Sequence, residues 1–235
     1  MKNIFFITII SLFISCSQKQ EITLTKLIGS PEYRDSELKL GSVSGEYDFS
    51  FDIINYSLGE QTEDAIENGL ANSAKGQHIH FIINNDPYSA HYDSNFSKEL
   101  KDDNSVILAF LSRSYHESVK NEKAYVLTQI SNDKSKEIDL TKQFLFYSRP
   151  KGVYKGEDTK KLLLDFYLVN TEISPNGNKV RLTVQEKEFI IDSWEPYYLE
   201  GLAKGEVNLK LELIDEKDNL IKTEFNPSYR KVILE

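Results

Sequence analysis

The amino-acid sequence predicts an all-β protein made of two tandem immunoglobulin-like antiparallel β-sandwich domains that arose by internal duplication. Three observations predict this fold class. Short segments alternate apolar and polar residues with a period of two, which is typical of half-buried strands. These segments recur in the same order in both halves of the chain. Helical periodicity is scarce, and turn-forming residues separate the strands at short intervals, which favours sandwiches.

The composition allows a large folded core and excludes several classes of protein. Of the 235 residues, 40% are hydrophobic and 28% are charged, so the chain is not a disordered tail. The formal net charge of −9 argues against a nucleic-acid partner, which would require a basic face. The single cysteine excludes an internal disulfide framework and a multi-cysteine zinc or iron–sulfur site.

The N-terminus has the features of a bacterial lipoprotein signal. Lys2 supplies a positive charge, and residues 4–14 form an apolar stretch that is shorter than the about 20 helical residues needed to cross a membrane. Cys16 follows directly at the end of this region. We therefore expect a signal peptide at 1–15, lipidation of Cys16, and a lipidated tether at 16–25. An ordinary cleaved signal with an incidental cysteine is the alternative.

The expected compartment is the bacterial cell envelope, with a lipid anchor in the outer membrane, on its periplasmic face. Two features of the sequence after Cys16 favour this placement. The next residue is not Asp, which is the inner-membrane retention signal of enteric bacteria, and no acidic cluster follows of the kind that sends some Bacteroidota lipoproteins to the surface.

Three strand-like blocks recur along the chain. Residues 47–56 match 162–171, and residues 76–84 match 177–185. The third match aligns Val106, Leu108 and Phe110 with Val207, Leu209 and Leu211. Three blocks in one order at nearly constant spacing predict a duplicated domain.

The domain boundaries follow from this repeat. We predict a first sandwich at 26–148, a connector at 149–161 and a second sandwich at 162–235. The first copy contains an inserted loop near 57–75, and a longer connection in one copy is a candidate site for a partner.

Three histidines form the first candidate site. His78 and His80 alternate with apolar residues on one strand, so both point to its outward face. The register taken from the second copy pairs His80 with His91 and His78 with Asp93, which would place three imidazoles near a carboxylate and suit Zn²⁺ or Cu²⁺. A slip of one residue would move His91 to the other face. The alternative is a polar face whose imidazoles are exposed or bond to the inserted loop.

Two further groups are candidate ligand-binding residues. Arg113, His116 and Glu117 follow a predicted strand and lie in a loop at one end of the sandwich, where such folds bind ligands. Arg149 and Lys151 form a basic patch in the connector, and arginine can bind phosphate or carboxylate with two donors. The alternatives are an Arg113–Glu117 ion pair and a solvated linker. The serines near His116 lack a nucleophile-elbow motif, so no catalytic residues are predicted.

Four long segments carry a family resemblance: NSAKGQHIHFIINNDPYSAHY, AFLSRSYHESVK, FYSRPKGVYKGEDT and WEPYYLEGL. They resemble an uncharacterised family of Bacteroidota tandem β-sandwich lipoproteins, over nearly the whole mature chain. Some members carry the label phosphopeptide-binding protein. The resemblance implies an envelope lipoprotein and identifies no catalytic residue.

The sequence thus predicts a non-enzymatic binding or interaction module anchored to the outer membrane by a lipid. Its ligand would be a protein, a peptide or a glycan. The alternative is a periplasmic metal-binding protein that uses the histidine cluster, with Zn or Cu as its ion; no other cofactor is expected.

Overall fold

The computed structural model describes residues 21–235, apart from residues 46, 64, 66, 101 and 103. The predicted signal peptide and Cys16 lie outside the described residues. Within the described part of the chain, no helix is long and apolar enough to cross a membrane. Strands and turns dominate, with short 3₁₀ turns at Lys134–Lys136 and Gly156–Thr159.

The strands follow one another along the chain with short connections. The first eight are β1 (Thr23–Lys26), β2 (Glu37–Ser44), β3 (Asp48–Ile54), β4 (His78–Ile83), β5 (Ser89–His91), β6 (Asn95–Ser97), β7 (Asn104–Ser112) and β8 (Tyr125–Ser131). The others are β9 (Phe144–Arg149), β10 (Gly152–Tyr154), β11 (Leu162–Val169), β12 (Lys179–Val184), β13 (Lys187–Ile191), β14 (Tyr197–Glu200), β15 (Gly205–Ile214) and β16 (Ser228–Leu234).

These strands form two β-sandwiches with the same topology, which confirms the predicted all-β, immunoglobulin-like fold class. The first sandwich packs a sheet of order β2-β3-β6 on a sheet of order β5-β4-β7-β8. In the second sandwich, the strands β9-β11-β14 correspond to β2-β3-β6 of the first. The strands β13-β12-β15-β16 correspond to β5-β4-β7-β8. The second sandwich has two additional edge strands: β1 pairs with β14, and β10 pairs with β16. This recurrence of strand order is what an internal duplication predicts.

One part of the predicted repeat is wrong by a single residue. In the first sandwich Phe81 pairs with Ala109, and in the second Leu182 pairs with Leu211. Because Phe81 and Leu182 are equivalent, Ala109 and not Phe110 corresponds to Leu211. The reason is that β7 is apolar on both faces, so its sequence does not show which residues face the core.

Two predicted boundaries also need correction. All of strand β9 except Arg149 lies inside the predicted first domain, yet Phe166 of β11 pairs with Tyr147 of β9, so β9 belongs to the second sandwich. The whole of β9 is buried, and alternation therefore gave no sign of its partner. Residues 23–25 of strand β1 fall within the predicted tether at 16–25, yet Leu24 pairs with Leu199 in the second sandwich.

Each sandwich has its own core, and a third apolar cluster joins them. The first core includes Phe49 and Phe81, and the second includes Phe166 and Leu182. The joining cluster consists of Ile82, Tyr88, Val106, Leu108 and Phe110 from the first sandwich and Phe144, Phe146, Tyr167 and Val169 from the second. The outer face of the sheet containing β4 and β7 is thus covered by β9 and β11, so the two sandwiches share a buried apolar interface.

Candidate metal centre

Three histidine side chains converge at this interface. His78 and His80 lie on β4, and both are fully buried. Nε2 of His80 lies 2.9 Å from Nε2 of His78, and Nδ1 of His116 lies 3.1 Å from the same His78 atom. One ligand atom from each of the three residues lies within 4.8 Å of those of the other two. Three ring nitrogens thus surround one point.

Strand alternation places the first two histidines. Ile79 and Phe81 point into the core of the first sandwich, so His78 and His80 point to the opposite face together with Ile82. We predicted this shared face correctly. The second sandwich covers it, however, so these histidines are interior residues and are not exposed.

A hairpin loop supplies the third histidine. His116 has a φ of 72°, a left-handed conformation that is costly for this residue type, and its amide donates to the carbonyl of Arg113 at 2.9 Å. The second sandwich has the same turn, where Asp218 has a φ of 63° and its amide donates to the carbonyl of Asp215 at 3.0 Å. The turn is therefore common to both sandwiches, whereas the histidine occurs only in the first.

The Nδ1 atoms of His78 and His80, which face away from the cluster, have hydrogen-bond partners. Nδ1 of His78 lies 2.8 Å from the carbonyl oxygen of Gly76, so it carries a proton and leaves Nε2 free to bind an ion. Nδ1 of His80 lies 3.2 Å from Oγ of Ser148, which is in the second sandwich. Such partners fix the orientation and tautomer of metal-binding histidines.

The surroundings keep these imidazoles neutral. Burial lowers the pKa of His78 to about 4, and burial is also the largest cause of the lowered pKa values of His80 and His116. The nearby charge of Arg149 shifts all three pKa values in the same direction. Neutral imidazoles are the form that binds metal ions, so no proton has to be removed from them at neutral pH.

The residues fit a zinc or copper ion. With metal–nitrogen bonds of about 2.0–2.1 Å, neighbouring ligand atoms of a tetrahedral site are about 3.3 Å apart. The two closest nitrogen pairs, at 2.9 and 3.1 Å, are near this spacing. Imidazole is a preferred ligand of both Zn²⁺ and Cu²⁺.

His91 is not part of this cluster, so its inclusion in the predicted site is wrong. It pairs with Ile79, and not with His80 as predicted. Its ring stacks on Phe96 with centroids 3.5 Å apart, and its Nε2 lies 2.8 Å from Oγ of Ser89. The cause is the turn after β4, which makes this hairpin one residue longer than its counterpart in the second sandwich. This shift by one residue places His91 on the face of the sheet that packs against the core of the first sandwich.

The candidate ligand-binding residues separate into two groups. Arg113 and Glu117 form a buried ion pair at 2.9 Å, which is the alternative we considered from the sequence. Both also hold the segment that joins the two sandwiches: Nε of Arg113 donates to the carbonyl of Pro31 at 3.1 Å, and Oγ of Ser30 donates to Glu117 at 2.5 Å. This pair has a structural role, while His116 joins the histidine cluster.

The second group, Arg149 and Lys151, lies beside the cluster around Tyr88. Nζ of Lys151 is 3.7 Å from the centroid of the Tyr88 ring and donates to the Tyr88 carbonyl at 2.7 Å. Burial, followed by the charge of Arg149, lowers the pKa of Lys151 to about 8. Arg149 is almost fully buried and donates from Nη1 to the hydroxyl of Tyr154 at 3.0 Å. Arg149 is thus an interior residue and Lys151 is half-buried, so these two residues do not belong to a solvated linker.

Two residues that contact the histidine cluster were not predicted from the sequence. Tyr88 stacks on His80 with ring centroids 3.5 Å apart, and Ser148 bonds to the same histidine. Ser148 could not be found, because it reaches the cluster through the packing of the two sandwiches. Tyr88 follows the turn after β4, so its closeness in sequence to the histidine strand was the one available signal.

Comparison with known proteins shows distant structural similarity alone. No protein-family model matches the chain, and no curated protein matches it. The fibronectin(III)-like modules of Clostridium thermocellum CbhA share 11% identity, covering 91% of this chain and 94% of theirs, with a TM-score of 0.31. The two tandem V-type regions of the chitin-binding protein VCBP3 share 9% identity, with 91% and 99% covered and a TM-score of 0.24. SGBP-B from the Bacteroides ovatus mixed-linkage glucan utilization locus, in complex with a mixed-linkage heptasaccharide, shares 11% identity, with 67% and 61% covered and a TM-score of 0.19.

Proposed function

We propose that this protein is a non-enzymatic binding protein of the bacterial cell envelope and that its ligand is a transition-metal ion held by His78, His80 and His116. The observation that carries the proposal is the convergence of three imidazole nitrogens, two of them 2.9 and 3.1 Å from the third. Zn²⁺ and Cu²⁺ are the ions that suit these ligands.

The burial of the site supports binding rather than turnover. His78 and His80 are fully buried, and His116 is the ligand with partial exposure to solvent. His116 thus lies on the more open side of the cluster, whereas the second sandwich covers the face of β4 that carries His78 and His80. The ion would join β4 to the hairpin loop of the first sandwich, next to the interface with the second.

Calorimetric titration of the mature chain with Zn²⁺ and with Cu²⁺ tests this proposal. We expect one saturable site for each ion, with a dissociation constant below the millimolar range. Replacement of His80 by Ala should abolish the site, because it removes one of the three imidazole ligands. His91→Ala is the matched control, since it removes an imidazole of the same sandwich that lies outside the cluster. Failure of the wild-type chain to bind either ion would overturn the proposal.

We also propose that lipidation of Cys16 anchors the protein to the outer membrane. The support is the apolar signal followed directly by the single cysteine of the chain. Cells should be labelled with a clickable palmitate and then fractionated. Wild-type protein should carry the lipid and sediment with outer membranes, whereas Cys16→Ala should do neither. An unlipidated, freely soluble wild-type protein would contradict this proposal.

A further inference from the structure

Tyr88 contacts the histidine cluster but has no part in the metal site described so far. Its hydroxyl oxygen lies 3.2 Å from Nδ1 of His116, and its ring stacks on His80 at an interplanar angle of 14°. The side chain is 3% exposed. The hydroxyl is thus about as far from one candidate ligand atom as the ligand nitrogens are from one another.

We propose that Tyr88 is the fourth ligand of the metal ion and binds as a phenolate, so that the centre consists of three imidazoles and one phenolate. This inference rests on the proposed function, because it requires an ion at the histidines. The geometry supports it: the 3.2 Å separation between Tyr88 Oη and His116 Nδ1 is close to the about 3.3 Å expected between neighbouring ligand atoms in a tetrahedral site.

The charges around the cluster also favour an anionic fourth ligand. Among the described residues, the converging group contains histidines and no carboxylate. Lys151 lies over the ring of Tyr88 at 3.7 Å, and the guanidinium carbon of Arg149 is 5.3 Å from the ring centroid. A divalent ion beside two cations is disfavoured by Coulomb repulsion. A phenolate at Tyr88 would be attracted to the ion and to both cations, and this attraction opposes burial, which is the largest cause of the raised pKa of Tyr88.

The binding step balances without an oxidant or a reductant. The O–H bond of Tyr88 breaks, its proton passes to the solvent, and the oxygen lone pair forms the bond to the metal ion. The metal keeps its oxidation state. Cu²⁺ is the informative probe, because a phenolate bound to Cu²⁺ gives a charge-transfer absorption in the visible range, which imidazole ligands alone do not give.

Visible absorption during Cu²⁺ titration of the mature chain tests the proposal. Wild-type protein should develop the phenolate-to-copper band as the site fills. Tyr88→Phe should still bind Cu²⁺, about tenfold or more weakly, and should lack the band. Tyr92→Phe is the matched control: the Tyr92 ring lies 5.0 Å from that of His78, and its hydroxyl is bonded to Ser73 at 2.7 Å. This variant should keep both the band and the affinity.

The outcomes distinguish this inference from the proposed function. Copper binding without the band in wild-type protein, or a band that survives in Tyr88→Phe, overturns the role of Tyr88 and leaves the histidine site intact. No binding of Cu²⁺ or Zn²⁺ overturns both. If circular dichroism shows that Tyr88→Phe does not fold, the wild-type chain decides the question: Zn²⁺ should produce the ultraviolet difference spectrum of tyrosinate, and a spectrum without it overturns the role of Tyr88.

Discussion

Ser148 Oγ lies 3.2 Å from Nδ1 of His80, so a strand of the second sandwich holds the ring of a histidine that belongs to the first. Both residues are buried, at 1% and 0% exposure. For Nε2 of His80 to bind an ion, Nδ1 must carry the proton and donate it to this hydroxyl. The packing of the two sandwiches therefore fixes the tautomer of a candidate metal ligand.

Replacement of Ser148 by Ala should weaken metal binding about tenfold, because partners of this kind typically contribute 10–100-fold to affinity. The unfolding free energy of the metal-free protein should fall by about 1 kcal/mol, the contribution of one hydrogen bond. Calorimetric titration and urea denaturation measure the two effects.

Ser228→Ala is the control for Ser148→Ala. It removes another buried hydroxyl, which accepts from Asn85 across the same interface at 3.0 Å, away from the histidines. Metal affinity should be unchanged in this variant. Equal affinities for Ser148→Ala and Ser228→Ala would show that Ser148 does not position His80.

Replacement of His116 by Asn should remove metal binding while keeping the fold. Asn tolerates the left-handed backbone that His116 adopts at φ 72°, and Asp218 occupies the same turn position in the second sandwich. We expect the unfolding free energy to change by less than about 1 kcal/mol. Calorimetric titration and urea denaturation of the purified variant measure these quantities.

His116→Ala provides the comparison for this turn. Ala is disfavoured at positive φ, so it should lose metal binding and also be less stable than the Asn variant, by about 1 kcal/mol. A stable Asn variant that still binds Zn²⁺ with wild-type affinity would exclude His116 from the site.

The register of a strand could be predicted from the sequence where its two faces differ in polarity. Where both faces are apolar, the register and the partner strand were predicted wrongly. In β12 buried residues alternate with half-buried ones, so its register was readable. β7 and β9 are buried along nearly their whole length, and their sequences do not show which face meets which sheet. The errors at Phe110 and in the assignment of β9 share this cause.

The candidate site was predictable to the extent that it depends on one strand. His78 and His80 share a face because side chains alternate along β4. His91 depended on the length of the turn after β4, where Asn84 and Asn85 both have positive φ. His116 was recognised as a loop residue, but its place beside His78 depends on tertiary packing, which no local pattern shows.

The metal-free protein should lose stability as the pH falls below about 6.5. Burial lowers the pKa values of His78 and His91 from 6.5 to about 4 in the folded protein. The unfolded chain therefore takes up protons first, so stability is complete above pH 6.5 and falls between pH 6.5 and 4. We expect a loss of about 1–2 kcal/mol per buried histidine by pH 5, measured by urea denaturation.

Bound Zn²⁺ should add stability at pH 7, and this added stability should also decrease as the pH falls, because protons compete with the ion for the same nitrogens. Constant stability of the metal-free protein between pH 7 and 5 would show that the histidines are not held neutral by burial. His91→Gln should reduce the pH dependence by the contribution of one histidine and leave the zinc effect unchanged.

The interface between the sandwiches should make the protein unfold in a single transition. Phe110 of the first sandwich stacks on Tyr167 of the second with ring centroids 4.7 Å apart, and both are fully buried. Phe110→Ala should lower the unfolding free energy by about 3–5 kcal/mol, the cost of removing a buried aromatic ring. Trp194, whose ring lies 5.1 Å from that of Tyr167, reports on the second sandwich by its fluorescence.

In wild-type protein, Trp194 fluorescence and far-ultraviolet circular dichroism should give the same denaturation midpoint, because neither sandwich can expose the shared cluster without cost to the other. In Phe110→Ala, the fluorescence midpoint should fall although the substitution lies in the first sandwich. Ile190→Ala, an exposed apolar position in the second sandwich, should leave both midpoints unchanged. Two separate transitions in wild-type protein, or a fluorescence midpoint that does not respond to Phe110→Ala, would mean that the sandwiches are energetically independent.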